Sequence, residues 1–164
     1  MEENALRIDP DKAEQIVDAL NTDLAATTVL YHQLRKHHWN VEGAEYRPLH
    51  HFFQEAYESA EKAADEQAER VQALGGVPVS GPEAMAERSP VEFEGEDVFD
   101  IRTSMQNDLE MYGDIIETVR DHIELALEFG DHATVEMLQR HLVELEEFGH
   151  TIEHYLAHDS LKDW

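Results

Sequence analysis

The sequence predicts an all-α fold, a four-helix bundle with one long crossover between its second and third helices. Apolar residues recur about every 3.6 positions over four long stretches, and proline, aspartate or glycine marks their ends. A stretch rich in Pro, Gly and Glu, from Val77 to about Asp100, separates the second stretch from the third. At 164 residues, the chain suits one domain and is too short for two separate cores, so we expect a single domain over residues 1–164.

The first hairpin consists of helices A and B. Helix A is predicted from about residue 10 to about 41, because Asp9 and Pro10 form a capped start and Gly43 follows the last periodic residue. Helix B is predicted to open at Pro48 and to close at Gly75-Gly76. The two helices should therefore run antiparallel with a short turn between them.

The second hairpin follows the crossover, in which Pro82 to Glu87 predicts a short helix. Helix C is predicted over about 101–128 and helix D over about 132–157, with Gly130-Asp131 ending one and capping the other. A short acidic tail runs from His158 to Trp164. Two antiparallel hairpins joined by one long crossover match the ferritin-like four-helix bundle.

The composition is strongly acidic and free of cysteine. Lys and Arg number 12 against 37 Asp and Glu, a formal net charge of −25. That balance argues against a surface for phosphate backbones or anionic lipid and favours cations as small partners. Without cysteine, His and carboxylates are the available metal ligands, which suits iron, manganese or zinc. Acidic residues spread over all segments resemble the surface style of salt-loving archaea, and an acidic mesophile protein is the alternative.

The chain shows no sign of a membrane segment or an export signal. No apolar run approaches the roughly 18 residues that a spanning helix needs. The N-terminus, MEENALRIDPDK, is acidic where a signal peptide would be basic and then apolar. We expect a soluble, cytoplasmic protein.

His38 is the most informative histidine of helix A. At about 100° per residue it projects onto the middle of the apolar stripe, whereas its neighbour His37 is predicted to point away. A single histidine on an apolar face is most often a core residue bonded to a carbonyl, and a metal ligand is the alternative.

Helix B carries a polar stripe beside its apolar one, spanning about 100° of arc. Within it Asp65 and Glu69 are four residues apart, so both carboxylates can reach one point. A metal-binding face and a solvated acidic face both explain the pattern. The stripe consists of His50, Gln54, Glu58, Glu61, Asp65 and Glu69.

His50 and Asp65 cannot bind one metal ion within a single copy of helix B. They are 15 residues apart, which is about 22 Å at a rise of about 1.5 Å per residue. The gap closes if two copies of helix B pack antiparallel about a twofold axis near residues 57 and 58. A site of two imidazoles and two carboxylates, suited to ferrous iron, would then be shared between subunits.

An intrachain di-iron centre is the competing architecture, and it needs a Glu-x-x-His motif on each of two helices. The chain offers one, Glu147 to His150 on helix D, and none on helix B. A further histidine series, His150, His154 and His158, could be a secondary metal or pore site, although such a helix face is more often plain surface.

Several segments resemble the Dps family, the DNA-protecting mini-ferritins of starved cells, and most of all its haloarchaeal members. The likeness covers essentially the whole chain, and it rests on His38-Trp39-Asn40-Val41-Glu42-Gly43, Leu49-His50, the run from Ala64 to Arg70, and Leu74-Gly75-Gly76-Val77-Pro78. The resemblance implies a hollow dodecamer, a homo-oligomer whose twofold interfaces hold ferroxidase centres. It further implies Fe²⁺ and hydrogen peroxide as substrates and ferric mineral stored inside.

The resemblance also implies roles for individual residues. His38 and His50 match the family's ligands from one subunit, and Asp65 and Glu69 match the carboxylates from its partner. Trp39 matches the aromatic residue beside the site, where it could intercept one-electron oxidants or anchor an interface. Three further positions complete the comparison: Gln54 replaces an acidic residue near the second iron, and Glu58 and Glu61 resemble inner-surface carboxylates that nucleate mineral.

The resulting hypothesis is an iron-storing ferroxidase that protects against oxidative damage. The family's DNA-binding members use a lysine-rich tail, and neither MEENALRIDPDK nor HDSLKDW supplies a cationic cluster, which argues against DNA binding. A nucleoid-associated DNA-binding protein and an intrachain di-iron oxidoreductase are the alternatives.

Overall fold

A computed structural model describes residues 4–157, and the regular structure in that range is entirely helical. Four long helices and one short helix follow each other as α1 (Pro10–Asn40), α2 (Tyr46–Ala73), α3 (Pro82–Arg88), α4 (Ile101–Glu128) and α5 (His132–Leu156). Helices α1 and α2 form one hairpin and α4 and α5 the other, while α1 packs on α4 and α2 on α5. The predicted bundle with its long crossover is confirmed; the tail from His158 to Trp164 lies outside the described residues.

Aspartate caps fix where three of the helices begin, and two of these caps, Asp9 and Asp131, were predicted. The Asp9 carboxylate accepts hydrogen bonds from two amides of the first turn of α1, at 3.1 and 3.2 Å. Asp100 accepts from one first-turn amide of α4 at 2.9 Å, and Asp131 accepts from one of α5 at 3.1 Å. Each cap satisfies amide groups that the helix itself leaves without an acceptor.

The start of α2 differs from the prediction. The helix begins at Tyr46, two residues before Pro48. Proline is tolerated there because a first-turn amide has no acceptor within its own helix. The turn before it depends on Gly43, whose φ of +98° suits glycine and few other residues. This tight turn sets the last turn of α1 beside the first turns of α2.

Apolar residues from all four long helices form one core. Its largest fully buried side chains include Leu20 on α1, Phe53 on α2, Tyr112 on α4 and Leu138 on α5. Within residues 4–157, none of the helices is both long enough and apolar enough to cross a membrane.

Candidate metal centre

His38 and His50 form a stacked pair where α1 meets α2. Their ring centroids are 3.8 Å apart, with the planes 18° from parallel. His38 Nδ1 lies 2.7 Å from the His50 carbonyl oxygen, and His50 Nδ1 lies 2.8 Å from the His38 carbonyl oxygen. Because a carbonyl can only accept, each Nδ1 is the donor, and in the neutral ring each Nε2 keeps its lone pair. Histidines that bind metals are commonly oriented by such a bond from the other ring nitrogen.

Tyrosines hold the rings of the pair from two sides. The Tyr46 ring stacks on His50 at 5.0 Å between centroids, and Tyr57 meets His38 edge-on at 5.2 Å. His38 is 9% exposed and His50 is half-buried. The carbonyl bond expected of a core histidine is therefore present at His38, but it satisfies only Nδ1. A purely structural role in the core gives no function to Nε2, whereas a metal ligand would use its lone pair.

Asp65 and Glu69 lie on the same unbroken helix as His50, and both are exposed. The 15 residues between His50 and Asp65 correspond to about 22 Å of continuous helix. One chain therefore does not bring the two carboxylates to the two histidines. In the described part of the chain, no group of three or more His, Asp or Glu side chains is placed to hold one metal ion. The shared site remains a prediction.

The remaining residues of the polar stripe have different surroundings. Gln54 donates its amide N–H to Glu58 Oε1 at 2.8 Å. Glu58 also lines a groove of about 500 Å³ between α2 and α5, together with Glu144 and Glu147. Glu61 is exposed one turn further along. Glu58 is thus part of an acidic groove, whereas Glu61 stands on the open face of α2.

Trp39 lies next to His38 and is 63% exposed. The Arg35 guanidinium stands 4.7 Å from its ring centroid and donates to the Tyr31 hydroxyl at 2.8 Å. Tyr46, which stacks on His50, is also exposed. Large exposed aromatic side chains, here one near each histidine of the pair, are typical of surfaces that another protein chain covers.

The prediction for His37 is wrong, because this residue is 4% exposed and faces the bundle. Its Nδ1 lies 2.7 Å from Asp108 Oδ2 on α4, and its Nε2 contacts Glu94 of the crossover. The projection considered only the apolar stripe of α1, whereas α4 and the crossover cover the neighbouring face. An acidic residue within the apolar series of α4, at Asp108, was the signal that could have revealed the pair.

The contacts of His37 belong to a buried polar network. Gln33 donates to Asp108 at 2.8 Å, and the Lys36 ammonium donates to Glu94 at 2.9 Å. Burial opposes charge on His37, but the hydrogen bond and charge of Asp108, with those of Glu94, outweigh it and raise the pKa of His37. Burial raises the pKa of Asp108 against the opposing bonds from His37 and Gln33. The network ties the crossover to α1 and α4.

The geometry does not favour the intrachain di-iron alternative. Glu147 and His150 are both exposed on α5 and do not project into the bundle. The helices instead hold part-buried carboxylate–histidine pairs, of which Asp23 and His122 lie 2.7 Å apart. A second pair joins Glu66 and His141, also at 2.7 Å. Each of these carboxylates has a histidine partner.

Comparisons with known proteins agree with this architecture. The model of the ferritin-like domain family matches residues 17–161. The DNA protection during starvation protein of Halobacterium salinarum is 63% identical over 96% of this chain and 87% of its own length. A nutrient stress-induced DNA-binding protein of Synechococcus is 38% identical over 99% of this chain and 92% of its own.

Solved structures show the same relationship. The crystal structure of the archaeal Dps homologue from Halobacterium salinarum superposes with a TM-score of 0.93, at 63% identity, over 96% of this chain and 87% of that one. The Dps protein of Vibrio cholerae, described as a member of a broad superfamily of ferritin-like diiron-carboxylate proteins, gives 0.90 at 29% identity over 96% and 98%. The chain therefore belongs to the Dps family of ferritin-like proteins.

Proposed function

We propose that this protein oxidises Fe²⁺ with hydrogen peroxide at centres shared between two chains, and stores the ferric product inside a hollow dodecamer. The observation that carries the proposal is the reciprocal bonding of the stacked His38 and His50 rings, which uses both Nδ1 atoms and leaves the Nε2 lone pair of each ring for a metal ion. Membership of a ferritin-like family and similarity to a diiron-carboxylate protein support iron as the metal.

The second half of each centre comes from a partner chain. Antiparallel packing of two α2 helices about their middle brings His50 of one chain opposite the partner's Asp65, and each pair of chains then holds two centres. The exposed aromatic rings of Trp39 and Tyr46 beside the histidines support a chain contact on this face. Two imidazoles and two carboxylates form a hard-to-borderline donor set that suits Fe²⁺.

The protein's part in the reaction is to bind Fe²⁺ with few ligands and to leave room for peroxide. One peroxide accepts one electron from each of two Fe²⁺ ions, its O–O bond breaks, and with two protons it leaves as two water molecules. Paired electron transfer suppresses formation of the hydroxyl radical. We propose that Trp39, which is exposed beside His38, intercepts one-electron oxidants that escape.

Residues of α2 are also proposed to affect binding at the second iron position and nucleation of the mineral after oxidation. The resemblance to the family implies an acidic residue at the position of Gln54, whose amide donates to Glu58, so we propose one negative charge fewer at the second iron position. Glu58 and Glu61 are proposed to nucleate the mineral. The acidic groove that Glu58 shares with Glu144 and Glu147 supports this role, because it concentrates carboxylates beside one another.

Direct DNA binding is the second candidate function. It is favoured by the names of the Halobacterium and Synechococcus relatives, which refer to DNA protection and DNA binding. A net charge of −25 opposes it, because binding to phosphates requires clustered cations. Removal of Fe²⁺ and peroxide protects DNA without contact, and gel retardation at high salt distinguishes the two mechanisms.

The proposed function is tested by stopped-flow oxidation of Fe²⁺ with peroxide on assembled particles. His50→Ala and Asp65→Ala should each lower the initial rate at least about tenfold, since even outer-shell changes cost about 10–100-fold in metal affinity or activity. The matched control is His51→Ala, an exposed neighbour that contacts Glu55. Light scattering should show one shell-sized particle for all. Unchanged rates in both site variants would refute the proposal.

A further inference from the structure

A second histidine pair lies on the exposed face of α5, apart from the His38 and His50 pair. His150 and His154 are one helical turn apart, and their Nε2 atoms approach to 2.9 Å. The rings stand nearly perpendicular, at 80°, with centroids 4.3 Å apart. We propose that these two side chains chelate a borderline divalent transition-metal ion, of which Zn²⁺ is the representative, independently of iron oxidation.

The distance between the two nitrogens fits a chelate. Zinc–imidazole bonds are about 2.0–2.1 Å long, so two of them at a right angle separate the nitrogens by about 2.9 Å, and a tetrahedral angle separates them by about 3.3 Å. The observed 2.9 Å therefore needs at most a few tenths of an ångström of adjustment. Exposed side chains make such an adjustment by small rotamer changes.

A carboxylate of the same helix favours the ring form that the chelate needs. Coordination through both Nε2 atoms requires each imidazole to carry its proton on Nδ1. Glu153 Oε2 lies 3.6 Å from His150 Nδ1, too far for a hydrogen bond but close enough to favour a proton there.

The charge and geometry around the pair suit a hydrated cation. Glu147 lies one turn before His150, and Glu146 is exposed beside it, so the face is acidic. Because no group of three or more His, Asp or Glu within residues 4–157 is placed to hold one ion, these two histidines would share the ion with water. His158 repeats the spacing but lies outside the described residues, and the chelate does not depend on it.

The alternative is a hydrogen bond alone. In a neutral pair one Nε2 donates its proton to the other, and 2.9 Å is an ordinary distance for that bond. A hydrogen bond and a chelate use the same two atoms, so metal binding, and not stability, distinguishes them.

The test is calorimetric titration of Zn²⁺ into the assembled full-length particle at constant KCl. His150→Ala, His154→Ala and the double variant should each lose one class of sites, about one ion per chain. Either single change should weaken that class at least about tenfold, because a chelate needs both ligands. His132→Ala, which removes a lone exposed histidine from the start of the same helix, is the matched control.

Iron oxidation provides the second readout. All four variants should keep the wild-type initial rate with Fe²⁺ and peroxide, which separates this site from the proposed ferroxidase centre. Unchanged zinc stoichiometry in both single variants would overturn the proposal in favour of the hydrogen bond. If each single variant lost a separate zinc ion and the double variant lost both, each histidine would bind its own ion, which would overturn the chelate. Light scattering checks that each variant assembles. Where an Ala variant fails to assemble, His150→Gln or His154→Gln replaces it.

Discussion

Two adjacent histidines of α1 occupy opposite kinds of environment. Both ring nitrogens of His37 face buried carboxylates, those of Asp108 and Glu94. His38 faces a carbonyl with one nitrogen only and lies beside exposed aromatic residues. The same side chain therefore has both ring nitrogens bonded at one position, and at the next it keeps one nitrogen for the ligand role that we propose.

The difference shows that partners on both ring nitrogens, and not burial alone, separate the two roles. His37 and His38 are buried to similar degrees, at 4% and 9% exposed. Carboxylates on both nitrogens favour the charged imidazolium, which cannot bind a cation. A carbonyl on one nitrogen only fixes the proton at that nitrogen, and in the neutral ring the second nitrogen then keeps a lone pair that can bind one.

Removing a carboxylate partner of His37, whose ring nitrogens are both bonded, should have the largest effect on stability. Asp108→Ala leaves Nδ1 of the buried His37 without its carboxylate partner, and we expect a loss of about 3–5 kcal/mol in the free energy of unfolding. Chemical denaturation at fixed chain concentration measures it. Asp114→Ala, an exposed carboxylate on the same helix, should stay within about 0.5 kcal/mol. Equal small effects would mean that the network stabilises little.

Exchanging the two histidines for glutamine one at a time should separate stability from activity. His38→Gln removes a proposed ligand and should lower the initial oxidation rate about tenfold or more, with a small change in stability. His37→Gln should lower stability and keep the rate per assembled particle. Stopped-flow oxidation and denaturation on both variants measure this, and a lost rate in His37→Gln at full assembly would contradict the division of roles.

The pH dependence of stability should show the effect of the two carboxylates on His37. The pKa of His37 is raised in the folded state, because the bonds and charges of Asp108 and Glu94 outweigh burial. Its contribution is therefore fully present below the unfolded pKa, about 6.5, and is lost as pH rises through the raised folded value. Denaturation midpoints of wild type should fall over this range, and those of His37→Gln should fall less. His122 shares the sign and remains in both proteins. Parallel profiles would contradict the shift.

Salt should affect the exposed carboxylates more than the buried pair. A charge of −25 per chain repels itself across an assembly, and the Debye length grows from about 3 Å at 1 M to about 30 Å at 0.01 M. The melting temperature should fall as KCl drops from molar to millimolar, and divalent cations should restore it at much lower concentration. The difference in melting temperature between wild type and Asp108→Ala should change less over the same range of KCl. A melting temperature independent of KCl would contradict the halophilic interpretation.

The sequence predicted the helices well because their signals are local. Asp9, Asp100 and Asp131 cap helices through bonds within one turn, and Gly43 marks a turn that needs positive φ. The pairing of His38 with His50 followed from a short hairpin and a resemblance to a known family. The start of α2 was missed by two residues, since a proline is allowed anywhere in the first turn.

The burial of His37 was not predictable from the pattern of α1 alone. Its partners lie on α4 and in the crossover, 71 and 57 residues away along the chain. Asp108 looked like one more acid in an acidic sequence, and only the packing of α4 on α1 makes it a partner. Likewise, the separation of His50 and Asp65 along the sequence showed that they cannot meet within one helix. It could not show how a second chain packs against the first.

The central claim, that each centre is completed by a partner chain, is tested most directly by mixing variants. Particles of His50→Ala and Asp65→Ala are dissociated, combined in equal amounts and reassembled, and the initial rate of Fe²⁺ oxidation with peroxide is measured. Half of the randomly formed pairs are mixed, and one of the two centres in each mixed pair is intact, so the rate should recover to about a quarter of wild type. If each centre belonged to one chain, every chain would carry a lesion, and no recovery in reassembled particles would contradict the account.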